Sequence, residues 1–319
     1  FALPVAATGI LEQLFNASGI MIVGNFSQSD GTAAVAAVGS NAPVTGLILN
    51  LFIGIALGAN VVIANAIGRG SREAVRNAVH TSIVTALIGG VIVAIIGELL
   101  AGPLLGMLNV TADVFPLALA YLRIYLIGMP VILLYNFETA IFRSIGDTQA
   151  PLAVLAISGV LNVTMGLIFV VLFHWGVSGV ATATVIANVV SSMILLYRLV
   201  HTDAAIHVDL REFGIDWFTL RQILRIGLPA GVQSAVFAVA NIIIQAAINS
   251  LGTVVMAAQQ HLNIFVGNDN LVVNHFRTGR GIPSASGGFQ ILVSSQNRVA
   301  VAIALQHIVG PRNRFRSTF

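Results

Sequence analysis

The chain contains no cysteine and very little charge. None of its 319 residues is cysteine, which excludes disulfides and thiolate metal sites. It also lacks lysine, since all 15 basic residues are arginine. Only 8% of the residues are charged and 57% are hydrophobic, with a mean hydropathy of +0.93. Soluble domains carry about 25% charged residues. This composition excludes an ordinary soluble domain and indicates an integral membrane protein.

Long apolar runs dominate the first 250 residues. A helix that crosses a bilayer needs about 20 apolar residues. Stretches of this length, each edged by Gly, Pro, Asn or charge, are 2–23, 43–66, 81–101, 115–136, 151–173, 180–200 and 228–248. Lipid offers the backbone no hydrogen-bond partners, and no alternating barrel pattern is visible. We therefore predict an all-α integral membrane bundle.

The start of the chain recurs near its end. A Leu-Pro pair, an Asn inside an apolar span, a Gly-Thr pair and an Ala pair occur twice in the same order. The two copies are Leu3-Pro4, Asn16, Gly31-Thr32, Ala36-Ala37 and Leu228-Pro229, Asn241, Gly252-Thr253, Ala257-Ala258. Such duplication is typical of transporters built from two similar halves.

Arginine is concentrated in alternate connections between the predicted spans. Connections that contain Arg are 67–80, 137–150 and 201–227, and those without Arg are 24–42, 102–114, 174–179 and 249–258. The positive-inside rule places the first set, and the N-terminus, in the cytoplasm. Six spans precede Leu228, so the second half begins in the same orientation. We therefore predict a parallel repeat.

Four segments follow from these patterns. Residues 1–200 form a six-helix lobe, and 201–227 form a linker at the cytoplasmic interface. Residues 228–263 begin a second lobe. The segment 264–319 mixes polar and apolar residues irregularly, and we hypothesise that this end is truncated or out of register with its parent coding sequence.

Between residues 2 and 263 the chain resembles the multidrug and toxic compound extrusion (MATE) family. The motifs that carry the resemblance are Leu3-Pro4, Val23-Gly24, Ala36-Ala37-Val38-Gly39, Gly58-Ala59, Gly68, Ala78-Val79-His80-Thr81, Tyr121-Leu122-Arg123-Ile124, Gly128-Met129-Pro130, Arg143-Ser144-Ile145-Gly146-Asp147-Thr148, Pro151, Asn162, Gly176-Val177-Ser178-Gly179-Val180-Ala181 and Ile226-Gly227-Leu228-Pro229. Their order and spacing, rather than any single motif, make the resemblance specific.

The resemblance implies twelve helices in two six-helix lobes, of which this chain holds one lobe and the opening of the second. It also implies an antiporter of a bacterial-type inner membrane. Such a protein exports amphipathic, often cationic compounds by alternating access, in exchange for H+ or Na+ and without a cofactor. The expected partners are small molecules and membrane lipid. Nucleic acid is not expected despite a pI near 9.9, because topology explains most arginines.

The resemblance also points to a modified coupling site. The carboxylates that the family often carries in its first and fifth spans are replaced here by Gly19 and Gly166. Asn162 matches a family Asn, and Thr184 matches a hydroxyl of the same polar cluster. Coupling therefore needs another protonatable group.

Glu12 is the replacement that we predict. Glu12, Asn16 and Gly19 lie at i, i+4 and i+7, so they share one helix face. A carboxyl at membrane depth is a functional candidate by default. The alternative is that Glu12 is paired with a neighbouring residue, or faces a water-filled cavity as substrate lining, without coupling. Asn241 and Gln245, one helical turn apart, are the corresponding cavity candidates in the second lobe.

Three further charged residues are gating or interface candidates. Arg123 lies within the fourth span, where it either snorkels outward or pairs with an acid such as Asp113. Glu138 and Arg143, five residues apart, are expected to pair near the cytoplasmic end of that span.

Other functions fit the pattern less well. No catalytic constellation and no metal-ligand spacing is present in the sequence, so we do not predict an enzyme. A lipid-linked oligosaccharide flippase of similar architecture would need a strongly cationic cavity, yet only Arg123 lies at depth. A non-transporting remnant or membrane scaffold remains the other alternative, because the pattern fails after residue 259.

The predicted sidedness can be tested by cysteine labelling, since the chain has no cysteine of its own. Arg72→Cys and Arg221→Cys should both react only with cytoplasmic reagent, whereas Asn109→Cys in an arginine-free connection should react from outside. Labelling of Arg72→Cys and Arg221→Cys from opposite sides would contradict the parallel repeat.

Overall fold

The computed structural model describes residues 2–27, 31–209 and 214–249. Within these ranges the chain is helical and contains no β-strand. The prediction of an all-α membrane bundle is confirmed. The second copies of the Gly-Thr and Ala pairs, and the predicted irregular segment 264–319, lie outside the described residues.

Eight α-helices and one short π-helical turn make up this fold. The helices are α1 Ala2–Phe26, α2 Gly31–Gly68, α3 Arg72–Met107, α4 Phe115–Ile127, α5 Met129–Ser144, α6 Gln149–Leu167, α7 Gly176–Val200 and α8 Trp217–Asn249. The π-turn, Ile168–Leu172, extends α6. Among the described residues, α2, α3, α6 with its π-turn and α7 are long and apolar enough to cross a membrane, and α4 with α5 forms a fifth if counted as one span.

The predicted fourth span, 115–136, is not one continuous helix. It is broken at Gly128, where α4 and α5 meet at an angle of 54°. Pro130 follows at the start of α5, and proline cannot donate the hydrogen bond that would continue the helix. Pro130 therefore lies in the first turn of a new helix rather than inside a continuous one. Gly90 of α3 allows this bend, because a Cβ there would overlap the backbone of Pro130.

Two hydrophobic clusters hold the bundle together. The first joins α2, α3, α5 and α7 at the end of the bundle near the linker, and it includes the fully buried Ile63, Phe137 and Leu195. The second joins α2, α3, α4 and α7 towards the opposite end, and Leu105 and Leu122 are buried within it. The break between α4 and α5 lies between the two clusters.

Paired glycines bring α8 onto α2. Gly54 and Gly58 lie one turn apart on α2 and face Gly227 and Gly231 on α8, so that a Cβ at any of the four positions would overlap the opposite backbone. Small residues at this spacing let helix backbones approach closely in membranes. The opening helix of the predicted second half is thus packed directly against the first lobe.

The connection between α7 and α8 is pinned to the beginning of α3. The Asp209 N–H donates to His80 Nε2 at 3.2 Å, and the Asp216 N–H donates to Thr81 Oγ1 at 3.1 Å. Ile206 and Val208, which lie just before Asp209 in the connection, are fully buried. The described part of the linker is therefore a packed element of the lobe.

Asp216 also begins α8. Its carboxylate accepts hydrogen bonds from the Thr219 hydroxyl, from the Thr219 N–H at 3.1 Å and from the Phe218 N–H at 3.3 Å. The Thr219 hydroxyl, followed by these backbone donors, holds the pKa of Asp216 below its usual value of 3.8. An N-terminal carboxylate in this position satisfies donors that the helix leaves unpaired.

We expect Asp216→Ala to lower the thermal unfolding midpoint at neutral pH, because α8 loses its cap. Since the folded-state pKa lies below the unfolded value of 3.8, the contribution of the carboxylate is fully present above pH 3.8. It is lost as the pH falls through the lower, folded-state value, so the difference from the unmodified chain should disappear there. The exposed Asp203→Ala in the same linker is the matched control, and an equal effect of both variants would contradict the cap.

Candidate functional site

The first predicted site residues, Glu12 and Asn16, lie on an open face of α1. Both side chains are exposed, although the opposite side of this helix packs on α6 and α2. Glu12 interacts electrostatically with Arg143, in the last turn of α5. The structure therefore brings Arg143 to Glu12, whereas the sequence had suggested Glu138 as its partner.

The expected interface pair between Glu138 and Arg143 is not formed. Its side chain is 0% exposed, and neither carboxylate oxygen has a hydrogen-bond partner within the described structure. Residues five apart on an α-helix point about 140° away from each other. Glu138 consequently faces the interior of the lobe, whereas Arg143 points to another side of α5, within electrostatic reach of Glu12.

Two hydroxyl residues share the buried face of α5 with Glu138. Tyr135 and Thr139 lie at i−3 and i+1, both are buried, and the structure leaves Tyr135 Oη and Thr139 Oγ1 without hydrogen-bond partners of standard geometry. Ser192 of α7 supplies the hydroxyl that interacts with the Glu138 carboxyl. This cluster was missed at the level of sequence. The signal for it was the apolar surroundings of Glu138, since a helix that is apolar on every side is buried.

Tyr135 connects the open and the buried acid. It interacts electrostatically with Glu12 and Arg143 on one side and with Glu138 on the other. Tyr135 is therefore within electrostatic reach of both acids, one exposed on α1 and one buried in the lobe.

The positions of the missing carboxylates face α7. A Cβ on Gly19 would lie 3.1 Å from Val180 Cγ1, and one on Gly166 would lie 3.5 Å from Ile22 Cδ1 and 4.0 Å from Ala183 Cβ. The junction of α1, α6 and α7 is thus lined by small and apolar groups at these two positions, and it offers no carboxylate there.

The two residues predicted to accompany that site are half-buried. Asn162 lies one turn before Gly166 on α6. The Thr184 hydroxyl donates to the Val180 carbonyl of its own helix at 3.0 Å, and the Asn188 amide donates to the Thr184 carbonyl at 2.9 Å. Thr184 therefore uses its hydrogen on the α7 backbone.

Arg123 pairs with an acid, and the structure identifies Glu98 as a partner. The Arg123 Nε lies 3.5 Å from Glu98 Oε2, because α4 packs beside the second half of α3. The two side chains are 55% and 32% exposed. Exposed pairs contribute about 0–1 kcal/mol, so the pair is an interface contact of modest strength.

The second-lobe candidates remain predictions. Asn241 and Gln245 both lie on α8, but their side chains are outside the part that the structure describes. No group of three or more His, Asp or Glu side chains suitable for a metal ion occurs among the described residues.

Apolar helices of spanning length around an ionisable inner face are the features of a polytopic membrane transporter. The family model named MatE matches residues 4–168, which is more than half of the chain. The chain therefore belongs to the MATE family, as its motifs indicated, and members of this family are transporters rather than enzymes.

Curated relatives support this assignment. The chain is 27% identical over 270 residues to the probable multidrug resistance protein YoeA of Bacillus subtilis, covering 82% of this chain and 58% of the relative. It is 28% identical over 251 residues to the probable multidrug resistance protein NorM of Thermotoga maritima, covering 74% and 51%. A FAD transporter of Shewanella oneidensis is 24% identical over 259 residues, covering 76% and 56%. The chain thus spans little more than half the length of these relatives.

Solved structures show the same fold. An inward-facing multidrug resistance MATE family transporter of the MOP superfamily superimposes with a TM-score of 0.75 at 25% identity, covering 85% of this chain and 63% of that one. An outward-facing structure with the same family description superimposes with a TM-score of 0.69 at 24% identity, covering 86% of this chain and 66% of that one.

Two glycines of α6 provide a test of the site's packing. A Cβ at Gly159 would overlap the ring of Phe15, whereas one at Gly166 meets only ordinary van der Waals contacts. We expect Gly159→Ala to lower stability by about 1–3 kcal/mol, as overpacking usually does. Gly166→Ala should leave the stability of the chain unchanged or increase it. Thermal unfolding in detergent measures both, and helix propensity cancels because both replace a helical glycine. Equal unfolding temperatures for the two variants would contradict the described contact between α1 and α6.

Proposed function

We propose that this chain is the first lobe, and the opening helix of the second, of a secondary active exporter. It exports amphipathic, often cationic organic compounds in exchange for H+ or Na+, and it uses no cofactor. In the parent protein a second lobe would complete the substrate cavity. Transport would then proceed by alternating access, in which the cavity opens to one side of the membrane at a time. The proposed location is a bacterial inner membrane with the N-terminus in the cytoplasm.

The observation that carries this proposal is the exposed Glu12 on the open face of α1. Exposed apolar side chains on the same helix include Ile10, Leu14 and Met21, each between 40% and 51% exposed, and the helical period places them on the side of α1 away from Glu12. Apolar surfaces with a few polar groups select ligands mainly by shape and lipophilicity. An exposed carboxylate on such a helix favours a positive charge on the ligand.

Competition between a proton and an organic cation for Glu12 would couple ion entry to substrate export. A carboxylate binds either a proton or an organic cation, so occupation by one excludes the other. When neither a proton nor an organic cation is bound, the Glu12 carboxylate is ionised, and the positive charge of Arg143 helps to stabilise it. The second interpretation, in which Glu12 only lines the cavity, predicts weaker substrate binding without a change in ion dependence.

The alternatives receive less support. A flippase for anionic lipid-linked sugars would need an excess of cations along the cavity, but Arg143 faces Glu12 and Arg123 is paired with Glu98. The scaffold interpretation makes a different prediction, because a scaffold exchanges no solute for ions.

We expect Glu12→Gln to abolish pH-driven exchange of tetraphenylphosphonium in proteoliposomes. This cation has no hydrogen-bond donor, so the loss is Coulombic, about 3 kcal/mol for unit charges roughly 6 Å apart at an effective dielectric constant of about 20. Affinity for it should therefore fall roughly ten- to hundredfold. Glu73→Gln, which removes an exposed carboxylate at the start of α3, is the matched control.

The outcomes separate the interpretations. Unchanged pH dependence in Glu12→Gln, with weaker binding alone, would assign Glu12 to cavity lining. Replacing the pH gradient by a Na+ gradient identifies the coupling ion. No exchange under either gradient by the unmodified parent protein with both lobes would favour the scaffold.

A further inference from the structure

Glu138 is an acid for which the proposed cavity provides no use. It is fully buried on α5, and both its oxygens lack hydrogen-bond partners in the described structure. An ionised carboxylate in that position would cost several kcal/mol. A buried acid without a counter-ion requires another means of neutralisation.

The elements around α5 supply no such counter-ion. Helix α2 carries no ionisable side chain. On α3, His80 binds the linker through its Nε2, and Glu98 pairs with Arg123 at the far end. The remaining charged groups of the helices packed against α5 are Arg72, Glu73 and Arg76 in the first two turns of α3 and Arg198 in the last turn of α7. Among the described residues, the Ser192 hydroxyl interacts with the Glu138 carboxyl without a hydrogen bond of standard geometry, and it carries no charge.

We propose that Glu138 is a proton-binding site inside the first lobe, reached from the open face of α1 through Glu12 and Tyr135. This inference rests on the proposed function, because it gives the exchanged proton a place away from the substrate. A proton neutralises the carboxylate in place, whereas a metal cation would bring a further charge and its own ligands into a packed interior.

Tyr135 is suited to pass the proton. Its hydroxyl both donates and accepts, has no hydrogen-bond partner of standard geometry, and interacts with Glu12 and Glu138. Because Tyr135 Oη has no hydrogen bond to either acid in this structure, the transfer requires a side-chain rotation or an intervening water that brings the three groups into hydrogen-bond contact. The Glu12 carboxyl then gives its proton to Tyr135 Oη while the Tyr135 O–H gives its own to a Glu138 oxygen. Glu12 is left ionised, Glu138 becomes neutral, and Tyr135 is unchanged.

This arrangement separates the two tasks that one carboxylate would otherwise perform. Glu12 is then free to bind an organic cation while the proton is held at Glu138. Release of that proton would leave an uncompensated buried charge, so it requires water or another base to reach the interior of the lobe.

Infrared spectroscopy tests the site without transport. In the purified chain at neutral pH we expect a carbonyl stretching band from a protonated, buried carboxylic acid. Glu138→Gln should remove this band, and the exposed Glu73→Gln should retain it. The proposal would be overturned if the unmodified chain shows no such band, or if its band persists in Glu138→Gln.

A second pair of variants keeps the test valid if Glu138→Gln does not fold. Tyr135→Phe should retain the band but slow its hydrogen–deuterium exchange at least about tenfold, a barrier increase of about 1.4 kcal/mol. Ser192→Ala should shift the band without removing it. Unchanged exchange in Tyr135→Phe would overturn the route, because a purely structural tyrosine would not control that rate.

Transport then distinguishes this inference from the proposed function. If pH-driven exchange continues in Glu138→Gln with its pH dependence unchanged, the proton site is wrong and the exporter stands. If the band is present but the parent protein with both lobes exchanges nothing under a pH gradient, the exporter is wrong and the proton site stands. Loss of the band on adding Na+ at constant pH would show a cation competing for Glu138 and would overturn its assignment to the proton.

Discussion

The cost of placing a carboxylate in an apolar bundle governs the chemistry of this lobe. The structure meets that cost in three different ways. Glu12 stays on an exposed face near Arg143, and Glu98 forms a partly exposed pair with Arg123. Glu138 is enclosed without a counter-ion. The proposed division of labour follows from this contrast, because an exposed acid can exchange ligands readily whereas an enclosed one can hold a proton away from them.

Small residues create the geometry in which those acids lie. The facing glycine pairs of α2 and α8 let the opening helix of the second half pack directly against the first lobe. Gly90 admits the backbone of Pro130, so that α4 and α5 can meet at 54° without displacing α3. Glycine at positions 19 and 166 leaves apolar contacts where related chains often carry acids. In each case the absence of a side chain determines how closely two helices approach.

Most helices could be predicted from composition because lipid leaves the backbone few alternatives. The angle at Gly128 could not be predicted, since the sequence shows the missing donor at Pro130 but not the geometry of the break. The particular partners of the charged residues could not be predicted either. An acid was expected beside Arg123, but only the packing of α3 on α4 shows that Glu98 is one. Glu138 is close to Arg143 in sequence, but the two point to different sides of α5.

The sequence by itself determined that this chain is an apolar helical membrane protein, and its ordered motifs were sufficient to indicate the MATE family. It also determined which residues share a helix face, because the period of the α-helix is constant. Only the tertiary structure decided which faces meet. That choice depends on packing between helices far apart in the chain, and it is why Glu12 lies near Arg143 while Glu138 is enclosed among α2, α3 and α7.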